Sequence, residues 1–183
     1  MKIILLGRCC RISFDFIHLG LKQESSLFEW TWSNTITEIN YVLRKLLNNE
    51  QVCVVRRGEN DYIEGTEIVT SHYINKNYQE IFNRRASRFI KDVKSENEIL
   101  FVRDDFMTTI QREELVTFCE LVRGFNPDAD FKVLLLSGLI NDPIDLPLIV
   151  HRVYNPAKYM EYINECYLLD KREVASVSGD LSD

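Results

Sequence analysis

Long apolar runs, an excess of positive charge and regularly spaced cysteines are all missing from this chain. The N-terminal apolar run ends at Arg8 and is too short for a secretory leader or a membrane span, so we expect neither. The formal net charge of −6 disfavours nucleic acid as a partner, because phosphate binding needs a concentrated positive surface. The five cysteines lack the pattern of a disulfide framework or a zinc site, so we expect reduced thiols, no bound metal and a cytoplasmic location.

A glycine-rich phosphate loop is also missing. Neither a GxGxxG nor a Walker pattern occurs, and we therefore expect no nucleotide and no other cofactor. The chain has 183 residues, of which 45% are apolar, and this fits one compact domain. We assign 1–172 to a single α/β domain and 173–183 to a flexible, polar C-terminal tail.

Apolar periodicity predicts strands that alternate with helices. Strands are predicted at 2–6, 52–55, 99–103, 131–136 and 148–153, with two further extended segments within 62–74 joined by turns at Gly58 and Gly65. Helices are predicted at 10–19, 35–49, 78–93, 108–124 and 155–169, with capping boxes at Thr35/Glu38 and Thr108/Gln111. The order predicts an α/β fold with a mixed, partly parallel sheet flanked by helices.

Cys10 is the candidate nucleophile. It lies where the first strand turns into the first helix, and N–H groups of a first helical turn favour the thiolate form of a cysteine. The alternative is a buried structural thiol, as we expect for Cys53, Cys119 and Cys166 in their apolar segments. A cysteine nucleophile also needs a base.

Three histidines are available as that base. His18 is about 12 Å from Cys10 along the same predicted helix, so it cannot reach the sulfur and is expected on the surface. His151 falls in an apolar strand, where a hydrogen-bonded core histidine is the usual occupant. His72 follows a polar pair at the end of an extended stretch and is the best candidate.

Glu29 is flanked by aromatic residues in a segment without periodicity. It could orient an imidazole, the third role in a catalytic triad, or it could cap a backbone turn or face water while Trp30 anchors the loop. Arg84, Arg85 and Arg88 are typical of a solvated helix face; the alternative is an anion-binding set at the rim of the sheet that also includes Arg103. That rim, where the parallel strands end, comprises the turns at 7–10, 103–105 and 137–138.

The chain resembles a family of papain-like cysteine peptidases found in bacteria and large DNA viruses. The matching segments, in order, are Leu-Gly-Arg-Cys-Cys at 6–10, Leu-Phe-Glu-Trp at 27–30, His72, the arginine-rich 83–89 and Leu-Phe-Val-Arg at 100–103. The resemblance implies a pair of Cys10 and His72. It also implies a papain-like α+β fold with an antiparallel sheet, as the alternative to the element order. Leu5, Leu27, Glu29 and Tyr73 depart from the Ser, Pro, Asp and Asp of the family pattern.

We therefore expect a cysteine peptidase or related thiol hydrolase that acts on a peptide or acyl substrate, with Cys10, His72 and Glu29 as its site residues. The alternative is a non-catalytic structural or interaction protein on the same fold, such as a component of a virion with protein partners.

Overall fold

A four-stranded parallel sheet lies at the centre of the computed structural model, which describes residues 1–8, 10–21, 24–73, 76–95, 98–105, 110–138 and 143–166. Its strands are β1 (Lys2–Leu5), β5 (Ile99–Asp105), β6 (Phe131–Ser137) and β7 (Ile149–Val153), numbered in chain order. They lie side by side in the order β1-β5-β6-β7, and every neighbouring pair is parallel. The predicted α/β class is confirmed, whereas the papain-like alternative was wrong about the central sheet, because its neighbouring strands all run in the same direction.

A small antiparallel sheet stands apart from the central one. It consists of β2 (Val54–Arg57), β3 (Asn60–Ile63) and β4 (Val69–Thr70), joined by the predicted turns at Gly58 and Gly65. Both glycines have a positive φ, as tight turns of this kind require. Val69 of β4 pairs with Trp32, which lies in the segment between the first two helices.

Five helices lie along the described chain: α1 (Arg11–His18), α2 (Ile36–Leu47), α3 (Tyr78–Lys94), α4 (Arg112–Phe125) and α5 (159–166), the last after a 3-10 turn at Pro156–Lys158. The predicted Thr35/Glu38 capping box is present on α2. On α4 the box is formed by Gln111 and Glu114; the predicted partner Thr108 and the predicted tail 173–183 lie outside the described residues.

The central sheet is covered on both faces. Alternate residues of a strand point to opposite sides, so Ile99 and Phe101 join one apolar cluster while Leu100 and Val102 join another. Helices α2, α3 and α4 cover the first face, and α1 and α5 cover the second. The described helices include none that is both long and apolar enough to cross a membrane.

Candidate functional site

Cys10 lies between the central sheet and α1, as the sequence predicts. Strand β1 ends at Leu5, and the chain turns through Gly7, at φ 75°, and Arg8, at φ 113°. Cys10 is the N-cap residue of α1, and its carbonyl oxygen accepts a hydrogen bond of 3.1 Å from the N–H of Phe14. Its side chain is half-buried at the carboxyl end of the parallel sheet, where α/β proteins hold their ligands.

The start of α1 is anchored to the neighbouring strand. Arg11 forms a salt bridge of 2.8 Å with the fully buried carboxylate of Asp104 at the end of β5. This pair joins the residue after Cys10 to the rim of the sheet. A buried carboxylate needs such a partner, and the pairing therefore restricts where α1 can begin.

His72 meets Cys10 across 62 positions of sequence. The Cys10 Sγ and His72 Nε2 atoms are 2.7 Å apart. The segment that carries His72 is held by β4, where Val69 and Trp32 exchange two backbone hydrogen bonds of 2.7 and 2.9 Å. His72 is exposed to solvent, so the pair is open to a substrate.

An aromatic side chain covers one side of this pair. The ring of Trp30 lies 5.4 Å from the His72 imidazole, and the ring of Phe14 lies 5.0 Å from Trp30, both edge-on. Phe14 is one helical turn after Cys10 and therefore on the same face of α1. The side chains of Cys10, His72, Trp30 and Phe14 thus form a continuous row of contacts.

Glu29 is not brought to His72. It is buried, and its carboxylate accepts a hydrogen bond of 2.8 Å from the N–H of Ser26. No hydrogen bond joins Glu29 to His72 within the ranges that the structure describes. In this geometry Glu29 closes the turn that precedes Trp30, which matches the capping alternative from the sequence.

Arg85 has a role beside the site that the sequence analysis did not predict. It is buried on α3, against the expectation of a solvated face, and it donates hydrogen bonds of 2.8 Å to the Glu29 carbonyl and 2.6 Å to the hydroxyl group of Tyr73. It therefore links the segment before Trp30 to the residue after His72. Its position was a usable signal, because it is three residues after Phe82 on the apolar face of α3.

Arg103 is likewise an internal residue and not part of an exposed anion-binding rim. It is fully buried, and its guanidinium donates hydrogen bonds to the carbonyl of Leu6 and to the side chain and carbonyl of Ser33. Burial lowers its pKa to about 10, and nearby Asp105 opposes that shift. Arg103 therefore ties the end of β5 to the end of β1 and to the segment after Trp32.

The other two histidines lie away from Cys10. His18 is exposed, as predicted, with Nδ1 2.8 Å from the carbonyl oxygen of Phe14. His151 is half-buried, with Nε2 2.8 Å from the hydroxyl group of Ser137. Burial, with a smaller contribution from Arg152, lowers the pKa of His151. His151 is therefore hydrogen-bonded within a strand, as the apolar pattern around it predicts.

An open groove of about 250 Å³ contains the Cys10 and His72 side chains. It is lined by Cys10, Trp30, Thr31, Trp32, Asn60, Val69, Thr70, Ser71 and His72. None of these nine side chains is acidic, lysine or arginine. The described residues contain no group of three or more His, Cys, Asp or Glu side chains that could hold a metal ion. The arrangement provides a thiol, an imidazole and a neutral surface beside them.

The chain is similar to an uncharacterized protein of Acanthamoeba polyphaga mimivirus. The two are 26% identical over 185 residues, a span that covers 83% of this chain and 78% of the viral protein. No protein-family model matches the chain, and no solved structure matches it. The similarity is thus to a viral protein whose name describes no activity.

Proposed function

We propose that this protein is a thiol hydrolase of the cysteine peptidase type, with Cys10 as nucleophile and His72 as general base. The observation that supports the proposal is the 2.7 Å contact between Cys10 Sγ and His72 Nε2 at an open groove. A nucleophile within hydrogen-bond distance of its base is the arrangement that covalent acyl transfer requires.

In the proposed reaction His72 takes the thiol proton, and the sulfur of Cys10 attacks an acyl carbon. The tetrahedral oxyanion is stabilised by backbone N–H groups of the first turn of α1. The carbon–nitrogen or carbon–oxygen bond then breaks, and the His72 imidazolium donates its proton to the leaving amine or alcohol. Water attacks the resulting thioester while His72 accepts a proton from it, and collapse releases the acid and restores the thiol.

Glu29 takes an indirect part in this proposal. Its carboxylate caps the turn before Trp30, and Trp30 contacts the His72 ring. We therefore assign Glu29 as a positioning residue. Glu29 is one methylene longer than the Asp of the family pattern that the chain resembles, and such a displacement is enough to spoil a positioned hydrogen bond.

The test is the rate at which iodoacetamide alkylates Cys10 as a function of pH. Because Cys9 is adjacent, the protein carries Cys9→Ser, and mass spectrometry resolves each remaining thiol. We expect Cys10 to react at pH 6 at least about tenfold faster than a small thiol in solution, because pairing with His72 favours the thiolate. The internal references are Cys119 and Cys166, whose burial raises their pKa to about 11 and about 12.

The matched variants are His72→Ala and His18→Ala. The first is expected to reduce the Cys10 rate at pH 6 to that of an ordinary thiol, and the second to leave it unchanged. A Cys10 that reacts no faster than a small thiol near neutral pH would show that the proposed function is wrong.

A second candidate is a non-catalytic structural or interaction protein, located inside an infected cell or in a virion. It is favoured by one observation: in the described part of the chain, neither Glu29 nor another side chain forms a hydrogen bond with Nδ1 of His72. The similarity to a mimivirus protein is compatible with it. It predicts that Cys10→Ser leaves the assembly or binding role intact, whereas the hydrolase proposal predicts complete loss of turnover.

A further inference from the structure

Two indole rings form the walls of the groove that contains Cys10 and His72. Both Trp30 and Trp32 line it, and Trp32 is 48% exposed. Indole rings are large, flat apolar surfaces that pack well against another ring. Their place beside a thiol and an imidazole points to a ligand bound at that pair.

The polar atoms of both indoles already have partners. The Nε1 atom of Trp30 donates to the hydroxyl group of Ser25 at 3.3 Å, and the Nε1 atom of Trp32 donates to the side chain of Asn34 at 3.1 Å. The rings can therefore contact a ligand through their apolar faces and edges, whereas their N–H groups are already used within the protein.

The two rings are held in place from behind. Buried Arg8 lies over the Trp32 ring, with its guanidinium carbon 4.9 Å from the ring centre, so one face is covered and the solvent-exposed area belongs to the remainder of the ring. Trp30 has a φ of 64°, a strained conformation for a bulky residue, and its carbonyl is fixed by Thr70. Strain of this kind is retained where the surrounding structure over-determines a site.

The remainder of the lining is neutral. Besides the two indoles and the reactive pair, it contributes hydroxyl, amide and aliphatic groups from Thr31, Asn60, Val69, Thr70 and Ser71. A charged substrate group would lose hydration there without gaining an opposite charge from the lining, because the Arg8 guanidinium is buried against the covered face of Trp32. An apolar group would instead lose unfavourable contact with water.

We infer that this groove selects acyl substrates whose group next to the reacting carbonyl is uncharged and aromatic, with Trp30 and Trp32 as its walls. The inference rests on the proposed function, since it names the substrate class of the same site. Trp32 is the specificity-determining residue to test, because it contacts neither Cys10 nor His72 through a ring contact or hydrogen bond in the described structure, whereas Trp30 supports the imidazole.

The experiment compares three alkylating probes on the Cys9→Ser protein: iodoacetamide, N-benzyliodoacetamide and N-(iodoacetyl)glycine. In each reaction the Cys10 thiolate forms a carbon–sulfur bond and iodide leaves. Each rate constant is divided by that for glutathione with the same probe, which removes the intrinsic reactivity of the reagent. We expect the benzyl probe to be favoured about tenfold over iodoacetamide, the effect of partly burying one phenyl ring, and the carboxylated probe not to be favoured.

Three variants locate the effect. Trp32→Ala is expected to lower the benzyl preference to about twofold, and Trp32→Phe to retain most of it, because the phenyl ring still supplies an apolar wall. Ile17→Ala is the control, since Ile17 is a 46% exposed apolar residue of α1 outside the groove, and it should retain the full preference. Protection of Cys10 from iodoacetamide by 3-phenylpropanamide, but not by propanamide, tests the same surface without any substitution at Trp32.

The outcomes separate the two proposals. Slow reaction with iodoacetamide itself at pH 6 would overturn the proposed function. If the reaction is fast, four results would overturn the substrate class without contradicting Cys10 as nucleophile. These are the absence of a benzyl preference, a full preference in Trp32→Ala, a preference for the carboxylated probe, and no protection by 3-phenylpropanamide.

Discussion

The hydroxyl group of Thr70 donates a hydrogen bond of 2.7 Å to the carbonyl oxygen of Trp30. The oxygen of that hydroxyl group also accepts a hydrogen bond of 3.3 Å from the backbone N–H of His72, and Thr70 is only 3% exposed. One buried hydroxyl group therefore joins the aromatic segment to the histidine. Thr70 therefore positions His72 in two ways. It holds the His72 backbone directly, and it holds Trp30, whose ring contacts the imidazole.

Thr70→Val removes the hydroxyl group and preserves the shape of the side chain. It leaves the Trp30 carbonyl without that donor, and we expect a loss of about 1 to 3 kcal/mol in the free energy of unfolding. We also expect the iodoacetamide rate of Cys10 to fall severalfold, because His72 is less well placed. Urea unfolding and site-resolved alkylation measure the two effects.

The matched control is Thr66→Val. Thr66 is 8% exposed, and its hydroxyl group donates to the Ile63 carbonyl at 2.9 Å and accepts from the Ile68 N–H at 3.1 Å, so the same kind of bonds are lost in another turn. We expect similar destabilisation without a change at Cys10. Equal alkylation rates in the two variants would contradict the positioning role of Thr70.

The sheet and its helices could be predicted because their signals are local. The apolar runs at 99–102 and 133–136 are typical of strands buried on both faces, and the amphipathic helix between them favours a parallel return. The Thr35/Glu38 capping box is equally local, since its two residues are one turn apart. Such patterns are independent of which distant segments come together.

The site residues depend on distant contacts and were harder to predict. The approach of His72 to Cys10 relies on the backbone pairing of Trp32 with Val69, which no local pattern encodes. The residue types around Glu29 allowed both an imidazole partner and a turn cap, and its hydrogen bond to Ser26 distinguishes them in the structure. Tertiary context likewise determines whether an arginine such as Arg85 is buried, because its long side chain can reach buried acceptors from the edge of an apolar face.

Gly7 is the position where the strand-to-helix turn requires glycine. Its φ is 75°, and a Cβ atom there would lie 2.7 Å from the carbonyl oxygen of Phe28. For Gly7→Ala we expect about 1 to 2 kcal/mol from the left-handed conformation and about 1 to 3 kcal/mol more from the overlap, both as loss of unfolding free energy.

Gly58→Ala is the control for Gly7→Ala. Gly58 has a φ of 62°, and no atom lies within 4 Å of the point that a Cβ atom would occupy, so it carries the conformational cost alone. Urea unfolding of both variants measures the difference. If the two substitutions destabilise the protein equally, the Phe28 carbonyl does not limit the turn.

Arg85→Met tests the link between the Glu29 carbonyl and the Tyr73 hydroxyl group. Methionine preserves much of the aliphatic stem but donates no hydrogen bond. We expect a loss of about 1.5 to 3 kcal/mol in unfolding free energy, because the donor is charged and the Glu29 carbonyl is buried. The neighbouring Arg84 is exposed, so Arg84→Met is expected to change stability by no more than about 0.5 kcal/mol. Equal effects in urea unfolding would show that Arg85 is not a structural link.

His151 makes the stability of the fold depend on pH. Its Nδ1 atom accepts a hydrogen bond of 3.3 Å from the N–H of Ile144, so the neutral ring carries its proton on Nε2 and donates it to Ser137.

Burial and the charge of Arg152 lower the pKa of His151 in the folded protein below the unfolded value of about 6.5. Below that pH the unfolded chain binds more protons than the folded one, so this contribution is complete above about pH 6.5 and is lost as the pH falls toward the folded-state pKa. We expect the unfolding free energy, measured by urea unfolding, to fall more between pH 7.5 and pH 5 in the unsubstituted protein than in His151→Gln, whose side chain does not titrate. An unchanged pH dependence in His151→Gln would contradict the assignment of a neutral, half-buried imidazole on β7 that bridges Ser137 and the Ile144 N–H.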